Sequence, residues 1–324
     1  MLKVCVVGMG YMGVQHLRAW ERIKFADVTA LVDADAAKSA EAEKFGLRFY
    51  TDIENALNSE KPDVVDICLP THLHRSAVET ALAAGCHVMC EKPIAARWED
   101  ALAVRDAAQK SGRKFMVGHV IRFFHEYSAA HALVQSGKIG DVGVVRTFRR
   151  AGFPSSDRGW YSDEEKSGGM IVDMMIHDFY FLLWLFGDAE RIYAKRVAAH
   201  GVDCALVTMR FASGAVAHLE GNWTPGAPFT YGFELAGTKG LIAFDSTRRK
   251  PLWIRQYDAG VESGESPIHN SPYYLQTEHF AQCIINDSEP VVTVDDALQT
   301  LRLALAACES TRTGKVIELT GFAG

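Results

Sequence analysis

Gly8-Met9-Gly10-Tyr11-Met12-Gly13 stands directly after the β-branched run 2–7 and directly before a stretch of helical periodicity. Few motifs restrict a fold as tightly. Gly8 permits a sharp turn, Gly10 lets backbone approach a pyrophosphate, and Gly13 allows the helix to pack closely on the strand. The first helical turn, opening at Tyr11 and Met12, then offers N–H groups and the positive end of a dipole to phosphate oxygens. Asp33 ends the second apolar run, 20 positions beyond Gly13. An acid there accepts hydrogen bonds from the hydroxyls of an adenosine ribose and repels a 2′-phosphate. No arginine follows in Ala34-Asp35-Ala36-Ala37, so the expected cofactor is NAD rather than NADP.

The rhythm around this motif extends the reading. Apolar runs at 2–7, 28–32, 64–69, 87–90 and 115–117 have the continuous character of strands buried on both faces of a parallel sheet. Helical stretches at 36–45 and 97–111 lie between them, followed by Gly46 and Gly112 at positions suited to left-handed caps. Beyond Gly118 the pattern changes. A helix at 125–135, a strand at 142–150, a polar loop at 151–168 and one strong helix precede strands at 191–197, 205–211, 215–222, 230–236 and 241–244. Ser213-Gly214 and Lys239-Gly240 supply turns between strand pairs. Helices near 273–285 and 295–311 and a short strand close the chain. The fold expected is α/β: a Rossmann doubly wound parallel sheet over 1–120, then an α+β domain with a large, mainly antiparallel sheet over 121–324.

Composition narrows the function classes. A formal net charge of -6 over 324 residues gives no electrostatic reason to bind nucleic acid or an anionic membrane. The greasiest stretch, 170–186, is interrupted by Asp173, His177 and Asp178, which argues against a membrane span. The N-terminus reads as a strand entering a glycine turn rather than a signal peptide, so a cytoplasmic protein is expected. Seven cysteines, an odd number scattered through apolar runs, do not form a disulfide framework. Cys86 and Cys90 sit four apart without a second Cys or His pair nearby, and no metal is expected.

Two further groups carry chemistry. Glu91-Lys92-Pro93 follows the strand 87–90, at the sheet edge where such folds bind ligands. Pro93 ends the strand and restrains how Lys92 is presented. Downstream, Ser167-Gly168-Gly169 leads into a helix carrying Asp173 and His177. Four residues apart on one helix, these share a face, while Met174, Met175, Phe179, Leu182 and Leu183 supply its packing surface.

The glycine motif, the Glu-Lys-Pro turn and the Gly-Gly, Asp173 and His177-Asp178 series together resemble the glucose–fructose oxidoreductase / inositol dehydrogenase family over essentially the whole chain. The resemblance implies an NAD-dependent oxidoreductase that moves a hydride between nicotinamide and a secondary hydroxyl of a sugar, polyol or sugar derivative. It implies that Lys92, Asp173 and His177 form the catalytic group. It also implies that Thr71, His74, Glu91 and Lys92 join the cofactor site, and that Arg122, Asp157, Arg158 and Trp160 face substrate. In this reading His177 takes the hydroxyl proton, Lys92 stabilises charge developing on the oxygen, and Asp173 orients the imidazole.

The chain also departs from the family. Tyr180 replaces an Asp common among members, and Val120-Ile121-Arg122 replaces the paired arginines of inositol-acting relatives. Gly118-His119 is similar to relatives acting on nucleotide-linked sugars. A non-catalytic dinucleotide-binding regulator, a nucleotide-sugar dehydrogenase and a reductase of cyclic or imine substrates are the alternatives. A second-domain sheet with few helices to cover it points to a homodimer or homotetramer.

Overall fold

The computed structural model describes residues 1–154, 159–248, 252–256, 260–264 and 270–324. Asp157 and Arg158 lie outside the described residues. The chain divides into two compact units, Met1–Phe123 with His269–Leu298, and Phe124–Ile268 with Gln299–Gly324.

In the first unit, strands β1 (Leu2–Val7), β2 (Ala26–Val32), β3 (Arg48–Tyr50), β4 (Val64–Ile67), β5 (His87–Glu91) and β6 (Phe115–Gly118) pair in the order β3-β2-β1-β4-β5-β6. Every pairing is parallel. The order reverses between β1 and β4, so ligands are expected beyond the carboxyl ends of these strands. Helices α1 (Tyr11–Trp20), α2 (Ser39–Lys44), α3 (Ile53–Glu60), α4 (His74–Ala83) and α5 (Trp98–Ser111) make the crossovers. Val4, Val6, Val64, Val65, Val88 and Met89 are fully buried, as strands covered on both faces require. Gly112 closes α5 at φ 64, the left-handed cap expected of it. Two local readings need adjustment. The three-residue edge strand β3 is too short to leave a periodic signal, and the stretch 36–45 is a 3-10 turn before a six-residue α2.

The second unit contains α6 (His125–Gln135), β7 (Val142–Ala151), α7 (Glu164–Ser167), α8 (Gly169–Asp173) and α9 (Ile176–Phe186). Strands β8 (Ala189–Ala199), β9 (Val202–Phe211), β10 (Val216–Trp223), β11 (Thr230–Gly237), β12 (Gly240–Asp245), β13 (Leu252–Gln256) and β14 (Gly260–Gly264) follow. After α10 (Pro272–Ile285) and α11 (Val294–Thr313), β15 (Ile317–Glu318) completes a nine-stranded sheet, β14-β13-β12-β11-β7-β10-β9-β8-β15. Among the described residues only β7 and β10 pair in parallel, so the sheet is mainly antiparallel as expected.

The segment His269–Leu298 belongs to the first unit. There α10 lies along α1, with the Tyr273 ring 6.0 Å from His16 and the Arg22 guanidinium 4.3 Å from the Tyr274 ring centroid. The unit boundary at residue 298 falls inside α11.

The one strong helix expected after the 151–168 loop is not continuous. It breaks after Asp173, and the pieces on either side are bent by 50°. The N–H groups of Met174 and Met175 both turn to the Met170 carbonyl, at 2.9 and 3.2 Å, which interrupts the regular ladder. The bend rests on β10 at Gly221, where a Cβ would come within 2.4 Å of the Met175 side chain and 3.0 Å of Met170 sulfur. Among the described residues no single helix is long and apolar enough to cross a membrane. The bent pair passes such a test by composition, but Met170, Ile171, Val172, Phe179, Phe181 and Leu182 are spent on the core.

Candidate active site

The glycine loop is built by close approach. Gly8 leaves β1 at φ +96, and a Cβ there would meet the Cys68 carbonyl oxygen at 2.5 Å. A Cβ on Gly13 would stand 1.8 Å from the Gly8 carbonyl oxygen, so helix and loop can touch only if that side chain is absent. Gly10 is the opposite case: nothing lies within 4 Å of where its Cβ would be. That open side is where backbone must meet a pyrophosphate. Gly10 is also the N-cap of α1 with no side chain capping it, so Tyr11 and Met12 open a helix whose first N–H groups suit an anion. The Tyr11 side chain is exposed.

Asp33 follows β2 and does two local tasks. Its Oδ2 accepts the Met9 N–H at 2.9 Å and its Oδ1 accepts the Asp35 N–H at 2.9 Å. The carboxylate thereby fixes the glycine loop while standing where the ribose of a dinucleotide is expected. The donors and spaces present fit NAD.

Beyond β4 and β5 lie the other first-unit candidates. Thr71 is buried in a short 3-10 turn, Thr71–Leu73. His74 is buried too, with Nδ1 2.9 Å from the Pro93 carbonyl and Nε2 2.8 Å from that of Leu69. An imidazolium could serve both acceptors and a neutral ring only one, yet burial pulls this pKa below the ordinary value. The structure therefore gives His74 a bracing task between two loops. Glu91 is buried at the end of β5, and its Oε2 accepts the Lys92 N–H at 3.1 Å. The Lys92–Pro93 peptide is cis. Arg122, in a 3-10 turn after β6, has Nη2 3.7 Å from Asp296.

In the second unit, Asp173 is the buried last residue of α8 and His177 lies in the first turn of α9. The two stand on either side of the break rather than on one continuous helical face. Trp160 opens a 3-10 turn and stacks on Tyr161, with ring centroids 3.8 Å apart.

Several polar groups of the two units have partners that the sequence did not announce. In the second unit Arg149 on β7 donates to Asp178 at 2.8 and 3.3 Å and to the Tyr127 hydroxyl at 3.0 Å, all out of water. In the first, His119 is fully buried; desolvation and the charges of Lys92 and Arg122 hold its pKa at about 3. His16, Asp66 and Cys68 bring their donor atoms within 4.8 Å of one another. Asp66 already accepts from the Trp20 indole at 2.6 Å and pairs with His16 at 2.9 Å, and burial pushes the Cys68 thiol up to about 12. These are the features of a hydrogen-bonded core cluster. The signals were present: a carboxylate inside the apolar run of β4 and a histidine three residues past the glycine motif.

Comparison with known proteins adds identity to this geometry. Residues 2–119 match the family model described as "Oxidoreductase family, NAD-binding Rossmann fold", and residues 127–243 match the GFO/IDH/MocA C-terminal domain. The D-apiose dehydrogenase of Paraburkholderia graminis is 30% identical over 98% of this chain and 89% of its own. The scyllo-inositol 2-dehydrogenase (NAD(+)) of Bacillus subtilis is 26% identical over 98% and 96%. An Agrobacterium radiobacter oxidoreductase, solved with NAD+, L-tartaric acid and magnesium, is 24% identical. Its fold superposes with a TM-score of 0.88 over 99% of both chains.

Proposed function

The chain belongs to the GFO/IDH/MocA oxidoreductase family, and from that premise we propose that it oxidises, reversibly, a secondary hydroxyl of a sugar or polyol. The observation that carries the reading is the glycine loop: Gly13 pressed on Gly8, Gly10 left open, and Asp33 holding the loop beside the expected ribose. The named relatives that act on apiose and on scyllo-inositol support the substrate class.

When bound, NAD supplies the hydride acceptor at its nicotinamide ring. His177 takes the proton of the substrate hydroxyl, since a histidine's ordinary pKa lies near neutrality. Lys92 donates to the same oxygen and stabilises the negative charge that grows on it. Asp173 orients the imidazole and favours its charged form, and Arg122 and Trp160 contact the substrate. The glycine loop with Asp33 binds the adenosine half of the cofactor, and Thr71, His74 and Glu91 shape the pocket for the other half.

The protein is proposed to be cytoplasmic and to work as a homodimer or homotetramer. One face of the nine-stranded sheet supports assembly: it presents Leu206, 59% exposed, and Val197, 64% exposed, beside the ion pairs Arg146–Glu234 and Arg150–Glu220. A screen of sugars, inositols and sugar nucleotides with NAD+, followed by NADH absorbance, tests the activity. Reduction of NAD+ by at least one polyol or sugar is expected, and none by any compound would move the reading to a dinucleotide-binding regulator.

A further inference from the structure

Three ionisable side chains that the proposed mechanism leaves without a task, or with only a loose one, meet beneath the glycine loop. His16 lies on α1, Asp66 on β4 and Glu91 at the end of β5. His16 Nδ1 stands 3.1 and 2.9 Å from the two Asp66 oxygens, and its Nε2 lies 3.0 Å from Glu91 Oε1. The first is a hydrogen bond. The second is a charge contact, too oblique to count as one. Side-chain exposure is 0% for His16 and Asp66 and 7% for Glu91, so water screens none of them.

A carboxylate buried in a strand covered on both faces is costly unless donors surround it. Asp66 has three, the Trp20 indole N–H, the His16 ring and, more weakly, the Cys68 thiol at 3.7 Å. The ring in turn has an acid at each nitrogen, an arrangement that favours imidazolium. Desolvation pulls the His16 pKa down, but Asp66 and, after it, Cys68 outweigh that and leave the pKa well above the ordinary value. Cys68 and the Tyr273 ring complete its surroundings.

On the far side Glu91 lies against Gly118 of β6. A Cβ there would come 3.0 Å from Glu91 Oε1 and 3.3 Å from its Cα, so the missing side chain is what lets Glu91 sit this close to the neighbouring strand. The other oxygen of Glu91 accepts the Lys92 N–H. His74 meanwhile meets the Pro93 carbonyl, so the turn is held at both ends by buried histidines.

We propose that His16 is a positioning residue: clamped between Asp66 and Glu91, it ties the helix that begins at the glycine loop to the turn that presents Lys92. Its role in catalysis rests on the reading of Lys92 given above, but the tie itself does not. No contact with substrate or cofactor is required of it. It acts through Glu91, and loss of either partner should loosen the same turn.

The test uses the full chain with NADH present and reads Lys92 directly, by the rate of its acylation with N-hydroxysuccinimidyl acetate followed by peptide mass spectrometry. His16→Gln and Glu91→Gln should each label Lys92 about threefold faster or more, while the exposed Lys44 and Lys110 react at parental rates. The double variant should label no faster than the faster single, because both changes cut one link. Unchanged Lys92 labelling in both singles, or effects that multiply in the double, would overturn the proposal. Should the variants fail to fold, the parent still decides: the His16 ring signals in NMR should stay those of imidazolium from pH 6 to 8, and a midpoint at an ordinary value of about 6.5 would overturn it. A substrate screen without turnover would defeat the proposed activity and leave the labelling result standing.

Discussion

Arg149→Met should destabilise the second unit by about 3–5 kcal/mol, the cost of leaving a buried charge without its partner. The upper range applies for structural reasons. Arg149 and Asp178 keep only 4% and 1% of their side-chain exposure, the pair is bidentate at 2.8 and 3.3 Å, and the Tyr127 hydroxyl accepts a third bond. Solvent therefore neither screens the pair nor rescues the orphaned carboxylate. For a unit of about 170 residues the unfolding entropy is about 0.36 kcal/mol/K, so the transition should fall by roughly 8–14 °C. Differential scanning calorimetry measures the shift directly. NADH binding should be unaffected, since the glycine loop belongs to the first unit. Arg149→Met combined with Asp178→Leu should recover at least about half of the loss, because an apolar pair of similar volume strands no charge. A single-variant cost below about 1 kcal/mol, the value for exposed pairs, would refute the argument from burial.

Three further outcomes follow from the same geometry. NADH should bind more tightly than NADPH, and Asp33→Ser should narrow that gap while weakening NADH, because the Met9 N–H loses its acceptor; equal affinities in the parent, read by fluorescence titration, would contradict this. His119 is neutral in the fold down to about pH 3 but titrates near 6.5 when unfolded, so the unfolded chain binds the extra proton in that window. Its contribution is fully present above pH 6.5 and is lost as pH falls towards 3, by up to about 1.4 kcal/mol per pH unit. His119→Asn should flatten the dependence in urea melts between pH 6 and 4, and an unchanged slope would count against it. Sedimentation should find a dimer or tetramer at micromolar concentration, and a stable monomer would refute the assembly proposed for the open sheet face.

What the sequence discloses follows from how local each determinant is. The glycine loop is legible because its three glycines, the strand before them and Asp33 lie within one stretch of chain: Gly8 and Gly13 meet steric demands that only glycine satisfies, and Asp33 ties the loop by accepting the Met9 N–H. Five of the six parallel strands are legible because both faces are buried and their apolar runs are nearly continuous, interrupted in β4 by Asp66; β3 is too short to show. The break between Asp173 and His177 is not, because it depends on Gly221, which comes up beneath Met175 from a distant strand. The clamp on Glu91 joins residues 16, 66 and 91, and only the odd carboxylate in β4 and the histidine just past the glycine motif hint at it. The placement of α10 beside α1 joins segments some 250 residues apart, with no local pattern to announce it.

The most direct test of the account is turnover and NADH binding measured together for the parent, Lys92→Ala and His177→Ala, using the best substrate from the screen. Each variant should bind NADH nearly as the parent does and lose about a hundredfold to ten-thousandfold in turnover. The double variant should lose less than the product of the two, as the proposed action of both groups on one oxygen requires. Near-parental turnover in His177→Ala would place the base elsewhere, and near-parental turnover in both single variants would contradict the proposed chemistry outright.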